Sequence, residues 1–287
     1  MSGKSEAIGI AGADKIADKI PADKAGAAKA PRVFAVVNQK GGVGKTTTAI
    51  NLATALAAAE KRVLLVDLDP QGNASTGLGI SQKQRVITTY EVLMGMDEIG
   101  GALVSTTVPG LQLVPASVEL AGAEIELVEG ERREYRLKDA IDRLKVVYDY
   151  VLVDCPPSLG LLTLNGMVAA NAVLVPLQCE FYALEGLSHL VRTIDRVKKS
   201  LNPGLDLQGV VLTMFDKRNN LCDLVASDVR GYFGEKVYNT TIPRNVRISE
   251  APSHGKPVLL YDWRCAGSQA YIHLASEVLY REQDYAH

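Results

Sequence analysis

The run Gln39-Lys40-Gly41-Gly42-Val43-Gly44-Lys45-Thr46-Thr47-Thr48 lies between two segments of opposite character. Before it, Val33 to Val37 is an unbroken apolar run, which reads as a strand covered on both faces. After it, Thr46 to Glu60 is rich in Ala and Leu and reads as a helix. A strand that turns through glycines into a helix is the setting in which backbone N–H groups cradle phosphates. Gly41, Gly42 and Gly44 let the loop, with Val43 between them, turn its N–H groups inward. The helix N-terminus adds positive potential. Lys45 is placed to reach the β- and γ-phosphates of a nucleotide, and the Thr46 hydroxyl to ligate Mg²⁺. The usual spacing G-x-x-x-x-G-K-[ST] asks for glycine at position 39, where Gln39 stands, and Lys40 then gives the loop a second lysine. Lys40 cannot easily serve the γ-phosphate that Lys45 already serves, which leaves it a cation beside a cationic site. A glycine turn that binds nothing is the competing reading. The coincidence of lysine, threonine and three glycines at a strand–helix junction argues against it.

Outward from this loop the same alternation repeats. Further strands read at Arg62–Asp67, Leu111–Pro115, Tyr150–Asp154, Ala172–Pro176 and Leu207–Met214. Helices read at Arg133–Val147, Leu184–Ser200, Leu221–Phe233 and Ser268–Arg281. Strand–helix alternation with right-handed crossovers predicts an α/β fold, a single doubly wound and mostly parallel sheet flanked by helices. Residues 1–31 differ, repeating Ala, Asp and Lys with almost no large apolar side chains. Such a stretch cannot offset its ordering entropy by burial, so it reads as a disordered N-terminal tail, with one domain over residues 32–287.

Two further carboxylate sites fall at strand ends. The second strand closes in Asp67-Leu68-Asp69-Pro70-Gln71-Gly72-Asn73, and ligands in parallel sheets bind at the C-terminal ends of strands. Asp69 is placed to orient water or a Mg²⁺ shell. Asp67 reads equally as a helix cap, a partner for a loop lysine, or a catalytic acid. The strand Tyr150–Asp154 runs into Cys155-Pro156-Pro157-Ser158, so Asp154 reads as the carboxylate that holds Mg²⁺ through its hydration water. A thiol at a buried strand end is inert, and Cys155 is given no role.

Composition narrows the classes. The chain has 287 residues, 31 Lys plus Arg and 33 Asp plus Glu, a net charge of −2. A histone-like polybasic protein is excluded, and any nucleic-acid binding has to come from a local patch. The four cysteines, Cys155, Cys179, Cys222 and Cys265, form no CxxC pair, which argues against zinc and suits the reducing cytosol. No apolar run reaches transmembrane length, and the N-terminus does not read as a signal peptide.

Lys40-Gly41-Gly42-Val43-Gly44-Lys45-Thr46 resembles the deviant Walker A motif of the ParA/MinD family of P-loop ATPases. The resemblance to its chromosomal ParA (Soj-like) branch extends from Arg32 to Leu279. It includes Asp67–Asn73, Leu120–Leu127, Cys179–Leu187 and the stretch Ile242-Pro243-Arg244-Asn245-Val246-Arg247-Ile248-Ser249-Glu250-Ala251-Pro252-Ser253-His254-Gly255-Lys256-Pro257. It implies an ATPase with ATP and Mg²⁺ as cofactors. Lys40 would reach across a nucleotide-sandwich homodimer to the partner's phosphates, and Asp69 would position the attacking water. Lys40, Lys45 and Asp69 are then the catalytic set. Lys40, Gly41, Gly42, Val43, Gly44, Lys45, Thr46 and Thr47 hold the nucleotide. Thr213-Met214-Phe215-Asp216 and Ile242-Pro243-Arg244-Asn245 resemble the family's adenine-side loops and add Met214, Pro243 and Asn245. No Asn-Lys-x-Asp stretch specifies guanine.

Within the family, a MinD-like membrane-surface ATPase is the alternative. MinD-like proteins end in a basic amphipathic helix, whereas Glu277–His287 contains acids that disfavour anionic lipid, so no membrane partner is expected. Cys155 and Cys179 lie outside the contexts of the iron–sulfur members. Tyr271, Tyr280 and Tyr285 are too sparse for the tyrosine-kinase relatives and fit a core helix. The tail is too short for an operator-reading helix-turn-helix domain. The resemblance implies sequence-independent binding of double-stranded DNA by the ATP dimer, and release when a ParB-type centromere-binding protein stimulates hydrolysis. The location would be cytoplasmic and nucleoid-associated. Phosphate contacts need only Lys and Arg. Among Lys217, Arg218, Lys236, Arg244, Arg247 and Lys256, those assigned to DNA are Arg218, Arg247, Lys236 and Lys256, with Arg244 able to face the nucleotide instead.

Overall fold

The computed structural model describes residues 30–284. The expected tail over residues 1–31 lies, apart from Ala30 and Pro31, outside the described residues, as does Tyr285. In chain order the elements are β1 (Arg32–Val36), α1 (Lys45–Ala58), β2 (Val63–Asp67), α2 (Asn73–Gly77), α3 (Thr89–Met94), β3 (Val104–Ser105), β4 (Leu111–Val114), α4 (Leu120–Glu126), α5 (Arg136–Asp142), β5 (Tyr150–Asp154), α6 (Leu161–Ala169), β6 (Ala172–Gln178), α7 (Ala183–Ser200), β7 (Asp206–Phe215), α8 (Asn220–Phe233), β8 (Val237–Pro243), α9 (Val246–Glu250), α10 (Val258–Tyr261) and α11 (Ala266–Asp284).

The strands form one sheet in the order β3-β4-β2-β5-β1-β6-β7-β8. Every pairing is parallel except β3 with β4. The unbroken apolar runs follow from burial on both faces, because each strand sends alternate side chains to two separate cores. Phe34 and Val36 enter the core shared with α1 and α11, while Val33, Ala35 and Val37 enter the core shared with α4 to α8.

The predicted helix Arg133–Val147 is shorter in the structure. A single 3₁₀ turn at Arg133–Tyr135 leads into α5, and the chain leaves the helix at Arg143. Val146 and Val147 are exposed, so no apolar stripe holds a further helical turn. Instead Asp149 accepts from the Arg62 backbone N–H at 2.7 Å and from its guanidinium at 2.9 Å, which draws the chain into β5 beside β2. Strands β3 and β8 do not stand out in the sequence, one being two residues long and the other interrupted by Asn239, Thr240 and Thr241. Glu277 of α11 accepts from the N–H groups of Asn239 at 2.8 Å and Thr240 at 3.0 Å, which covers part of this exposed edge. Tyr271 of α11 is a core residue as expected, whereas Tyr280 is 64% exposed.

Two features position the site. Strands β2, β5 and β1 are neighbours, and the register pairs Val36 with Asp154 and Asp154 with Asp67. The end of β1, where the phosphate loop begins, thus meets both carboxylate strands. Farther out, Gly79 and Gly255, both at positive φ, touch backbone to backbone. A Cβ on Gly79 would stand 2.8 Å from the Gly255 carbonyl oxygen, and one on Gly255 would stand 2.8 Å from the Gly79 Cα.

Candidate active site

The loop between β1 and α1 is fixed from behind and open in front. Asn38 donates to the Pro176 carbonyl at 2.8 Å and accepts the Lys40 N–H at 3.0 Å. Thr213, next to Met214 at the end of β7, donates its hydroxyl to the Val43 carbonyl at 2.8 Å. Gly42 (φ 75) and Gly44 (φ 87) take left-handed conformations that L side chains rarely adopt. A Cβ at Gly41 or Gly42 would meet nothing within 4 Å. These glycines are therefore not needed to pack against the protein itself. The space in front of them suits a group that approaches the backbone closely, as a phosphate does.

Lys45 is 6% exposed, and its ammonium donates to the Lys40 carbonyl at 3.0 Å, so the loop itself holds this cation. Burial lowers its pKa, with Asp154 and Asp69 opposing that shift. In the sequence Lys40 has no local counter-charge. The structure supplies one, since the exposed Lys40 ammonium pairs with Glu180 at the end of β6. Thr46 and Thr47 open α1, both half-buried.

The three carboxylates differ in what satisfies them. Asp67 is fully buried and accepts from the Ser75 N–H at 2.8 Å and hydroxyl at 2.6 Å. It therefore staples α2 to β2, although the residue that caps the helix is Gly72 and not Asp67. Burial pushes its carboxyl above the usual range, against the Ser75 bonds. Asp69 is buried, and its Oδ1 accepts the Gln71 N–H at 3.0 Å. Asp154 is fully buried and neither carboxylate oxygen has a hydrogen-bond partner of normal geometry, although the neighbouring Thr46 hydroxyl favours the charged form. Burial first, and then Asp67, push its carboxyl well above the usual range, while Thr46 and Lys45 pull the other way. A buried carboxylate with no partner is costly unless something else engages it. A hydrated cation between Asp154 and Thr46 would do so, and the donor set suits Mg²⁺. Cys155 is fully buried and burial raises its thiol pKa, which leaves it inert.

Of the base-side candidates, Met214 and Pro243 come together, because Phe215 and Pro243 are register partners. Met214 has φ 50 and is half-buried near the loop glycines, with its Cε 4.0 Å from where a Gly44 Cβ would stand. Asn245 uses its Oδ1 to cap α9 through the Arg247 N–H at 2.9 Å. Arg218 and Arg247 follow the C-terminal ends of β7 and β8. Arg218 is 89% exposed and pairs with Asp216 at 2.8 Å, and Arg247 pairs with Glu250 at 3.0 Å and Asp262 at 3.5 Å. Lys256 is exposed on the turn after Gly255. Lys236 is elsewhere. It precedes β8, and its ammonium bonds Asp206 at 2.9 Å and the Leu207 carbonyl at 2.8 Å where β7 begins. The length of a seven-residue strand, about 20 Å, separates it from Arg247. Residues that the sequence reading did not single out include Glu180, Ser75, Thr213 and Arg85. Each works through a contact distant in sequence; Thr213 and Glu180 fall within stretches that carry the family resemblance and Ser75 follows one, whereas nothing in the sequence marks Arg85.

A family model described as an AAA domain matches residues 31–207. The chromosome partitioning protein ParA of Caulobacter vibrioides is 64% identical over 88% of this chain and 96% of its own length. The sporulation initiation inhibitor protein Soj of Bacillus subtilis is 54% identical over 86% of this chain and 98% of its own. Among solved structures, one titled cobyrinic acid a,c-diamide synthase from Mycobacterium smegmatis, with bound ADP and magnesium, is 41% identical. It has a TM-score of 0.78 and covers 90% of this chain and 97% of that one. The chain belongs to the ParA (Soj-like) family of chromosome-partitioning P-loop ATPases.

Proposed function

We propose that this protein is a DNA-partitioning ATPase. It closes into a homodimer on ATP, binds double-stranded DNA without sequence preference, and lets go after hydrolysis stimulated by a ParB-type partner. The observation that carries the chemistry is the buried Lys45 ammonium in the field of Asp154 and Asp69, beside a loop whose glycine face is open. Lys45 exchanges its bond to the Lys40 carbonyl for the β- and γ-phosphates. The loop N–H groups and the start of α1 hold the remaining phosphate charge. Asp69 orients water for in-line attack, so that a bond from water oxygen to the γ-phosphorus forms as the bond to ADP breaks. Thr46 and Asp154 are the residues that would hold Mg²⁺, which would supply neutralising charge on the phosphates. Lys40 is released from Glu180 to serve the second subunit's phosphates. Met214, Pro243 and Asn245 line the base.

Residues 32–287 form the ATPase domain, cytoplasmic and nucleoid-associated. Arg218 and Arg247 follow the C-terminal ends of β7 and β8, on the side of the sheet where the phosphate loop lies, so dimer closure would double the number of arginines able to leave their acid partners for DNA phosphates. Lys236, bonded to Asp206 and Leu207 at the other end of β8, lies apart from these two. The membrane-surface alternative gains nothing from this structure. Helix α11 packs on α1 and β8, a core role that leaves its large aliphatic residues engaged inside the fold. The deciding experiment is a titration of DNA with ATP, with ADP and without nucleotide. Tight, salt-sensitive binding with ATP alone is expected, and equal binding in all three states would refute the reading.

A further inference from the structure

Arg85 is 9% exposed and lies in the segment between α2 and α3. Its Nη1 donates to the Ala116 carbonyl at 3.1 Å, and its Nη2 to the Thr76 hydroxyl at 2.8 Å and the Ile80 carbonyl at 3.0 Å. Its Nε donates to the same Ile80 carbonyl at 3.2 Å. No carboxylate is among these partners. Burial lowers the Arg85 pKa and the field of Asp67 opposes this only in part, so a guanidinium hydrogen-bonded to neutral acceptors alone is not explained by packing. What the planar fork does supply is fixed geometry between segments.

The segments it joins are those that carry Asp69. The Thr76 hydroxyl that accepts from Arg85 itself donates to the Gly72 carbonyl at 3.0 Å, and the Gly72 N–H donates to the Asp69 carbonyl at 2.8 Å. Gly72 has φ 61, and a Cβ there would stand 2.5 Å from the Arg85 Nη1 and 3.2 Å from the Ala116 carbonyl. Ala116, which follows β4, is tied to the same unit a second time, its N–H donating to the Ser75 hydroxyl at 3.1 Å. One guanidinium therefore clamps the Asp69–Gly77 turn against the end of β4.

We propose that Arg85 is a positioning residue for ATP hydrolysis. It holds the Asp69 turn in the orientation that aligns the attacking water, without touching nucleotide. The inference rests on the reading of Asp69 as the water-orienting residue. A small misplacement of such a group lowers the chemical step far more than ground-state binding.

The test uses the full chain with Mg-ATP and compares wild type, Arg85→Lys, Arg85→Gln, Asp69→Asn and the Arg85→Gln/Asp69→Asn double variant. Thr76→Val, at an exposed position, is added as a milder lesion in the same contact should both Arg85 variants fail to fold. Affinity for a non-hydrolysable ATP analogue should stay within about twofold, while kcat falls of the order of tenfold to a hundredfold in both Arg85 variants. Lysine should not rescue, since it lacks the fork. Thr76→Val should lower kcat about threefold or more, and the double variant should be no slower than Asp69→Asn alone. A folded Arg85→Gln protein with wild-type kcat, a loss of analogue affinity matching the loss of rate, or multiplicative losses in the double variant would each overturn the proposal. So would an unchanged kcat in Thr76→Val. If Asp69→Asn itself turns over at the wild-type rate, the Asp69 reading fails first. If it is slow while Arg85→Gln is normal, only the present inference fails.

Discussion

Asp67 and Asp154 are register partners at the ends of adjacent parallel strands, both fully buried, and only Asp67 has hydrogen-bond donors of normal geometry. The protein thus keeps two carboxyls side by side whose charged forms are disfavoured by burial, that of Asp67 also by Asp69 and that of Asp154 also by Asp67. A raised folded-state pKa means that the native state binds more protons than the unfolded one. The corresponding stability is present at low pH and is lost as pH rises through the folded value, about 6 for Asp67. In EDTA, Asp67→Asn should therefore lose less stability than wild type between pH 5 and pH 7. Thermal melting at the two pH values checks this, and parallel behaviour of the two proteins would count against it.

Lys45→Ala should lose ATP binding and every later step, because the ammonium that meets the β- and γ-phosphates is gone. Isothermal titration with ATP measures it. Wild-type affinity in that variant would remove the phosphate-loop assignment.

Asp69→Ala should bind ATP normally yet hydrolyse it slowly, accumulating as a DNA-bound dimer. The loop and Lys45 are intact in it, so the cradle survives while water is left unoriented. Sedimentation with DNA beside a phosphate-release assay reports both halves, and wild-type turnover with the partner present would refute the assignment.

Arg218→Ala and Arg247→Ala should each weaken binding to all DNA sequences alike and reduce the slope of log affinity against log salt by about one unit. ATP-dependent dimers should persist in both. Lys236→Ala serves as the contrast, since its ammonium is engaged by Asp206 and Leu207 at the opposite end of the sheet. Size-exclusion chromatography with ATP, run beside DNA titrations at two salt concentrations, separates a DNA contact from a dimer or base contact.

Gly44→Ala should abolish function through backbone conformation rather than crowding. The nearest atoms to a Cβ there lie at 3.9 Å, an ordinary contact, but φ 87 is costly for any L side chain, about 1–2 kcal/mol. Loss of nucleotide affinity with a small drop in melting temperature is the expected pair of results.

The sheet was legible because burial on both faces writes continuous apolar runs into β1, β2, β5 and β6. The phosphate loop was legible because its chemistry is local, needing only consecutive residues at one strand–helix junction. Edge strand β8 was not, since half of it faces outward and its polar residues break the pattern. The helix after Arg133 ends sooner than its pattern predicts because nothing in the sequence announces that Asp149 is claimed by Arg62, 87 residues earlier. The same limit applied at the site. Asp67 could be placed but not assigned, because its role depends on Ser75 folding back onto it. Arg85 and Glu180 look like ordinary surface charges until the chain brings the Asp69 turn and the phosphate loop to them.

The contact between Gly79 and Gly255 has a mechanical consequence. It is made by main chain on main chain, and such a joint has no rotamer through which to yield. The segment leading from Asp69 and the turn leading to Lys256 therefore have no soft cushion between them. A displacement of one bears directly on the other, as with two gear teeth in mesh. Adding a single methyl group at either glycine should wedge that mesh apart.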